Sequence, residues 1–204
     1  MKLHYNVASP YVRKVMAVAI ETGQDGRLEP VTRMMTPLKP DADLAADNPL
    51  GKIPCLITDD GAVLYDSRVI CEYLDSLHDG PKMFPPEGEV RWTALRRQAE
   101  GDGILDAALL GRYETFLRPQ ERRWPEWIDA QKQKFRRALD SLENEAEAFA
   151  TVDIGTITIG CALGYLDFRY GDEDWREPRP QLAAWFEQFA RRPSMARTAP
   201  QEIW

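Results

Sequence analysis

The sequence predicts a two-part chain: an α/β domain over residues 1–78 and an all-α helical bundle over residues 88–204, joined by a linker at 79–87. Three observations predict it. Strand-like and helix-like patterns alternate in the first part in the order strand, helix, strand, loop, strand, strand, helix. The stretch "HDGPKMFPPEG" is dense in Gly and Pro with few core candidates, which marks a connection. Beyond it only helical spacing recurs.

Each element has its own signal. Residues 2–6 (KLHYN) read as a short strand. "SPYVRKVMAVAIETG" reads as a helix: Ser9 is a good N-cap, Pro10 suits the first helical position, and Val12, Val15, Met16, Ala19 and Ile20 recur at helical spacing until Gly23. Residues 27–33 suit a strand that Pro30 confines to a sheet edge, because proline has no N–H for the ladder. Thr36 to Asn48 reads as a loop. "PCLIT" and "AVLY" flank Asp59-Asp60-Gly61, a hairpin signal. "DSRVICEYLDSL" closes the first domain as a helix with Val69, Ile70, Tyr73, Leu74 and Leu77 on one face.

In the second part, residues 89–118 carry Leu95, Ala99, Leu105, Ala108, Leu109 and Phe116 at broadly helical intervals, with Gly101 and Gly103 as weak points. Residues 125–149 show a cleaner period through Ile128, Phe135, Leu139, Leu142, Ala146 and Phe149. Two further helices fit 156–170 and 180–191, separated by the charged loop "GDEDWREPRP".

Composition narrows the function classes. With 44% hydrophobic and 29% charged residues in 204, the chain has the make-up of an ordinary globular protein. Its formal charge of -7 argues against coating nucleic acid, which needs a basic face. No apolar run reaches the ~18 residues of a membrane span, and the N-terminus leads straight into strand-like sequence; the expectation is a cytosolic protein without a membrane partner. Cys55, Cys71 and Cys161 form an odd set without a CxxC, and His4 and His78 are the only histidines, so neither a disulfide framework nor a metal site is expected.

One residue is out of place. In "NPLGKIPCL", Pro54 sits where apolar residues otherwise begin a strand. An X-Pro bond is the common site of a cis peptide, which would turn Ile53 out of the ladder and free its N–H and C=O. Free backbone groups at a sheet edge can receive an extended peptide; a structural turn is the alternative.

A Ser-Pro-aromatic-x-Arg-Lys start to the first helix, "NPLGKIP" before the third strand, "DS" at the start of the third helix and an all-helical second part together resemble the cytosolic glutathione S-transferases. The resemblance covers essentially the whole chain. The stretches "GILDAALLGRYE" and "RPQERRWPEWIDAQ" are similar to a bacterial, YibF-like subgroup. It implies a thioredoxin-like N-terminal domain that binds glutathione, and a helical domain carrying the electrophile side of the cleft.

The resemblance also implies roles. Ile53, held by a cis Pro54, would pair through its main chain with the cysteinyl backbone of glutathione, a one-residue strand addition. Ser67, at a helix start with unpaired N–H groups behind it, would take the γ-glutamyl carboxylate, with Asp66 beside the ammonium group. The other reading of Ser67 is a plain N-cap. Lys52 and Lys39 would neutralise the glycine carboxylate; both could equally be solvated surface lysines.

Ser9 would be catalytic. A thiol has a reference pKa of about 8.5 and attacks electrophiles only as the thiolate. A hydroxyl donor to the sulfur, with the positive end of the helix from Pro10, favours the charged form. A helix cap is the rival role for Ser9, and Tyr5, Asn6 and Tyr11 are alternative donors. A serine here can stabilise a thiolate but cannot form the mixed disulfide of a reductase. Cys55 reads as a small core residue.

The electrophile would lie between the domains against Tyr11, Tyr113, Phe116 and Trp124, with Arg112 polarising it; core packing is the competing role of the aromatic residues. The implied activity is transfer of glutathione to a small hydrophobic electrophile by a homodimer. Two alternatives share the features: a glutathione-dependent isomerase or dehalogenase, and a non-catalytic binding module. One departure from the family pattern is expected, because "TITIG" offers Thr156 and then Ile159 where a capping box should stand; its absence would cost about 1 kcal/mol.

Overall fold

A computed structural model describes residues 1–202. They divide into two compact units: Met1–Pro86 together with residues 193–202, and Glu87–Arg192.

In the first unit, β1 (Lys2–Tyr5), β2 (Glu29–Thr32), β3 (Cys55–Ile57) and β4 (Val63–Leu64) form one mixed sheet in the order β2-β1-β3-β4. β1 pairs parallel with β2 and antiparallel with β3, which pairs antiparallel with β4. Pro30 lies opposite Leu3 on an edge strand, the placement its missing N–H requires. Helix α1 (Pro10–Glu21) and α3 (Ser67–Ser76) pack together, burying Val12, Val15 and Val18 on one and Ile70, Cys71 and Leu74 on the other. Gly23, at φ +67°, stops α1 in a conformation that a side chain would resist.

The stretch expected as a loop from Thr36 to Asn48 contains a helix, α2 (Ala42–Asp47). Asp41 caps it by accepting from the Leu44 N–H at 2.8 Å, and Leu44 is fully buried. Six residues with one apolar anchor are too short for a periodicity signal.

The connection after α3 is also better anchored than its composition suggests. Met83 and Phe84 are buried, and their N–H groups donate to the buried Asp75 carboxylate at 2.7 and 3.0 Å. Lys82 Nζ donates to the Asp75 carbonyl at 2.7 Å.

Residues 193–202, expected with the helical domain, group instead with the first unit. The short α8 (Pro193–Ala196) packs on α1, where Arg13 donates to the Met195 carbonyl at 3.1 Å and Arg197 pairs with Asp25 at 2.5 Å. These partners lie more than 170 residues apart, beyond the reach of a local pattern.

The second unit is all helical: α4 (Gly88–Phe116), α5 (Pro125–Glu143), α6 (Ile154–Arg169) and α7 (Pro180–Phe189). Every residue of α6 from Ile154 to Leu166 is buried, so this helix is the centre of the unit. Helix α4 runs unbroken through Gly101 and Gly103. A Cβ on Gly101 would stand 2.9 Å from Thr158 Cγ2, so this glycine lets α4 and α6 approach closely, whereas one on Gly103 would meet nothing within 4 Å.

The expected loss of the capping box at "TITIG" is overturned. Helix α6 begins two residues earlier, its N-cap is Asp153, and Thr156 is the third helical residue. Thr156 N–H donates to Asp153 Oδ1 at 2.9 Å, and Asp153 N–H donates to Thr156 Oγ1 at 3.0 Å. The box is present with its acid and hydroxyl exchanged. Among the described residues, no helix is long and apolar enough to cross a membrane.

Candidate functional site

The sheet register gathers the candidate residues of the first unit at one end. His4 pairs with Cys55 in the antiparallel β1–β3 pair, so the chain leaving β1 toward Ser9 runs beside the chain arriving at β3 through Ile53 and Pro54. Leu56 pairs with Leu64, which brings the exit of β4, and with it Asp66 and Ser67, to the same end. β2 is parallel to β1, so the segment leading to Lys39 also leaves there.

Ser9 is the N-cap of α1: its Oγ accepts from the Val12 N–H at 3.3 Å. Accepting uses an oxygen lone pair and leaves the hydroxyl proton available to donate. The cap and the thiolate donor are therefore compatible roles for one hydroxyl. Asn6, an alternative donor on sequence grounds, is committed elsewhere: its Oδ1 accepts from Ala8 N–H at 2.9 Å and its Nδ2 donates to the Arg33 carbonyl at 2.9 Å. Its own carbonyl accepts from Ser9 N–H at 3.0 Å, so Asn6 shapes the turn that presents Ser9. Tyr5 and Tyr11 are both half-buried, and burial pushes the Tyr5 phenol above its usual range.

The Ile53–Pro54 peptide is cis, and β3 starts at Cys55. Ile53 thus lies outside the ladder, half-buried, while Pro54 is buried. The preceding turn is knotted by Asn48, which is only 1% exposed. Its Nδ2 donates to the Lys52 carbonyl at 2.8 Å and its Oδ1 accepts from Leu50 N–H at 3.0 Å, around Gly51 at φ +60°. Sequence reasoning passed over Asn48; an Asn-Pro-x-Gly turn was the available signal.

Next to this turn, a part-buried polar network centred on the buried His4 ties α2 to β1. His4 Nε2 contacts Asp47 Oδ2 at 2.7 Å, and Arg33 Nε donates to His4 Nδ1 at 2.9 Å. Because arginine only donates, Nδ1 is the unprotonated ring nitrogen and Nε2 carries the proton to Asp47. Arg33 also pairs with Asp41 and Asp43. The Leu44 N–H and then the Arg33 charge hold the Asp41 carboxyl below its usual range.

Asp66, rather than Ser67, caps α3: Asp66 Oδ1 accepts from Arg68 N–H at 2.9 Å. Ser67 is the first helical residue and is buried, while the Asp66 carboxylate is exposed. The first-turn amides of Ser67 and Val69 lie outside the intrahelical ladder by geometry. Lys39 and Lys52 are both exposed. Lys39 sits in a bridge with Thr36 whose two backbone bonds measure 3.0 and 3.1 Å.

The remaining candidates belong to the second unit. Arg112, Tyr113 and Phe116 share the last turns of α4, with the Arg112 guanidinium 4.6 Å from the Phe116 ring centre. Burial raises the Tyr113 phenol, and it pushes Tyr165 up to about 12 against the opposing charges of Arg112 and Arg169. Phe116 and Trp124 are 52% and 60% exposed, so neither is a core residue. Trp124 precedes α5, donates its N–H to Glu114 Oε1 at 2.9 Å and stacks on Trp127 at 6.3 Å.

Comparison with known proteins places these features in context. Residues 8–77 match the family model for the glutathione S-transferase N-terminal domain, and residues 125–188 match that for the C-terminal domain. The chain is 35% identical over 204 residues to an uncharacterized GST-like protein, YibF, of Escherichia coli K12, covering 98% of each. It superposes with a TM-score of 0.96 on a glutathione transferase family member from Pseudomonas fluorescens Pf-5 with bound glutathione, at 51% identity over 98% of this chain and 99% of that one. A glutathione S-transferase from Methylobacillus flagellatus with glutathione bound gives a TM-score of 0.88 at 36% identity, over 98% of this chain and 99% of that one.

Proposed function

Because this chain belongs to the glutathione S-transferase family, we propose that it activates the thiol of glutathione for attack on a small hydrophobic electrophile. The observation that carries the reading is the convergence at one sheet end of an Oγ with a free proton at a helix start (Ser9), a residue outside the ladder (Ile53) and a second helix start (Ser67). The glutathione bound in two similar structures supports it.

Each group has a role. Ile53 pairs through its N–H and C=O with the cysteinyl backbone. The Ser67 hydroxyl and the first-turn amides of α3 take the γ-glutamyl carboxylate, and the exposed Asp66 carboxylate meets the ammonium group. Lys52 and Lys39 face the glycine carboxylate. The Ser9 hydroxyl donates a hydrogen bond to the sulfur, and the N-terminal end of α1 adds its partial positive charge, so the thiol releases its proton to solvent and the thiolate is favoured near neutrality. The thiolate then forms the carbon–sulfur bond as the electrophile's leaving group departs or its double bond accepts the electron pair. On the second unit, Arg112, Tyr113 and Phe116 at the end of α4, and Trp124 before α5, are offered to the electrophile. The working form is a cytosolic homodimer.

Calorimetric titration with glutathione and its S-methyl derivative tests the binding site, and ultraviolet titration of the bound thiolate tests Ser9. Saturable binding of both ligands is expected, with a bound thiol pKa below that of free glutathione. Ser9→Ala should raise that pKa and lower kcat with little change in affinity. An unchanged pKa and kcat in Ser9→Ala would remove Ser9 from the reaction.

A further inference from the structure

His4 is 2% exposed, and neither of its ring nitrogens has a part in the chemistry proposed for Ser9. Both are engaged instead with residues 33–47, one at each end of that segment. At its start, Arg33 Nε donates to Nδ1 at 2.9 Å; at its finish, Nε2 donates to Oδ2 of Asp47, the last residue of α2, at 2.7 Å. The main chain reinforces the first contact. Arg33 N–H donates to the Tyr5 carbonyl at 2.8 Å, and the Arg33 carbonyl accepts from Asn6 Nδ2 at 2.9 Å. One imidazole on β1 therefore closes the whole segment onto the sheet.

The segment carries Lys39, which its bridge with Thr36 holds in place, and it leads directly to Lys52. Asp47 is followed by Asn48, whose Nδ2 donates to the Lys52 carbonyl at 2.8 Å, so a shift of α2 is passed on to Lys52. Three carboxylates lie between the two lysines: Asp41, Asp43 and Asp47. Arg33 pairs with Asp41 at 3.4 Å and with Asp43 at 3.2 Å, and His4 holds Asp47. Released from these partners, the three acids would compete with an incoming carboxylate for the lysine ammonium groups.

On the reading that this chain binds glutathione, we infer that His4 is a positioning residue for the glycine end of that peptide. It touches no ligand. By fixing both ends of residues 33–47 to β1, it sets Lys39 and Lys52 to receive the glycine carboxylate and keeps the neighbouring acids occupied. Its effect is on selectivity, because the other contacts have their own supports. Ile53 is anchored by the buried Pro54 at the start of β3, and Ser67 by α3.

Titration calorimetry of the intact protein with glutathione and with its glycinamide form, in which that carboxylate is an uncharged amide, tests this. The parent should prefer glutathione by about tenfold, the scale of two exposed charge pairs. His4→Phe and Asp47→Ala should each cut the preference to about twofold by weakening glutathione alone. His4→Gln, whose amide can still donate to Asp47, should keep part of it. Asp47 is half-buried, so its variant carries the test if the change at the buried His4 prevents folding. A purely structural loss would weaken both peptides alike, and that result would overturn the inference, as would a preference retained in both variants. Hydrogen exchange of the ligand-free protein gives a readout without glutathione. The Ala45 and Asn48 amides, bonded to the Asp41 and Leu44 carbonyls, should exchange about tenfold faster in Asp47→Ala, with the β3 amides unchanged. Binding of neither peptide by the parent would overturn the glutathione reading together with this inference; glutathione binding with unchanged exchange and unchanged preference would overturn this inference alone.

Discussion

The Asn48 amide nitrogen donates to the Lys52 carbonyl at 2.8 Å, closing the turn that delivers Ile53 to the sheet end. A side chain that contacts no proposed ligand thereby sets the path of the backbone that does. Replacing it with Ala leaves the Lys52 carbonyl and the Leu50 N–H without these partners, and an unsatisfied buried group costs about 1–3 kcal/mol. Asn48→Ala should lower stability by about 2 kcal/mol in urea unfolding and weaken glutathione roughly tenfold in calorimetry, a loss of ~1.4 kcal/mol. Asn48→Asp, which keeps the bond from Leu50, should fall between.

Gly101 and Gly103 sit two residues apart in α4 and should respond to Ala in opposite directions. At Gly101 the new Cβ would stand 2.9 Å from Thr158 Cγ2 and 3.0 Å from the Thr158 carbonyl carbon, so the helices must part; overpacking of this kind costs about 1–3 kcal/mol. At Gly103 the space is open, and the better helix former should gain up to about 1 kcal/mol. Thermal unfolding of the two variants beside the parent gives both signs in one experiment.

The three cysteines are all buried. Desolvation, and then the charge of Asp47, push the Cys55 thiol up to about 11, so almost none of it is thiolate near neutrality. An aromatic disulfide reagent should react negligibly with the folded protein at about pH 8, where a free thiol of pKa about 8.5 is substantially ionised. All three thiols should react after denaturation. Prompt release from the folded protein would show a reactive thiol and reopen disulfide exchange as an activity.

Acid should weaken the helical unit through Glu145 and Glu173. Partial burial raises the Glu145 carboxyl, but hydrogen bonds and charge from Arg96 and Arg97 outweigh it and hold the group below its usual value; Lys132 and Arg136 do the same for Glu173. A carboxyl depressed in the folded state stabilises it above the unfolded pKa of about 4.3, and that contribution is lost as pH falls through the lower folded value. The melting temperature should hold between about pH 7 and 5 and fall below about 4.3. Glu145→Gln and Glu173→Gln should each lower it near neutrality and flatten the acid limb.

The order of strands and helices was legible in the sequence because each strong element carries its own pattern: Ser9-Pro10 starts α1, Gly23 ends it, and Pro30 points to an edge strand. Pro54 was legible for a similar reason, since a proline at a strand start conflicts with the ladder unless the chain turns there. Local chemistry failed where the signal was short or its roles were exchanged. Helix α2 has a single apolar anchor, Leu44, and the capping box at Asp153 and Thr156 reverses the usual order of hydroxyl and acid. Only the tertiary structure decided that Ser9, Ile53 and Ser67 share one sheet end, that Asn6 and Asn48 hold the turns presenting two of them, and that Arg13 ties the last helix back to α1. The reason is physical: caps, turns and periodicity act within a few residues, whereas register and burial join groups that the sequence places far apart.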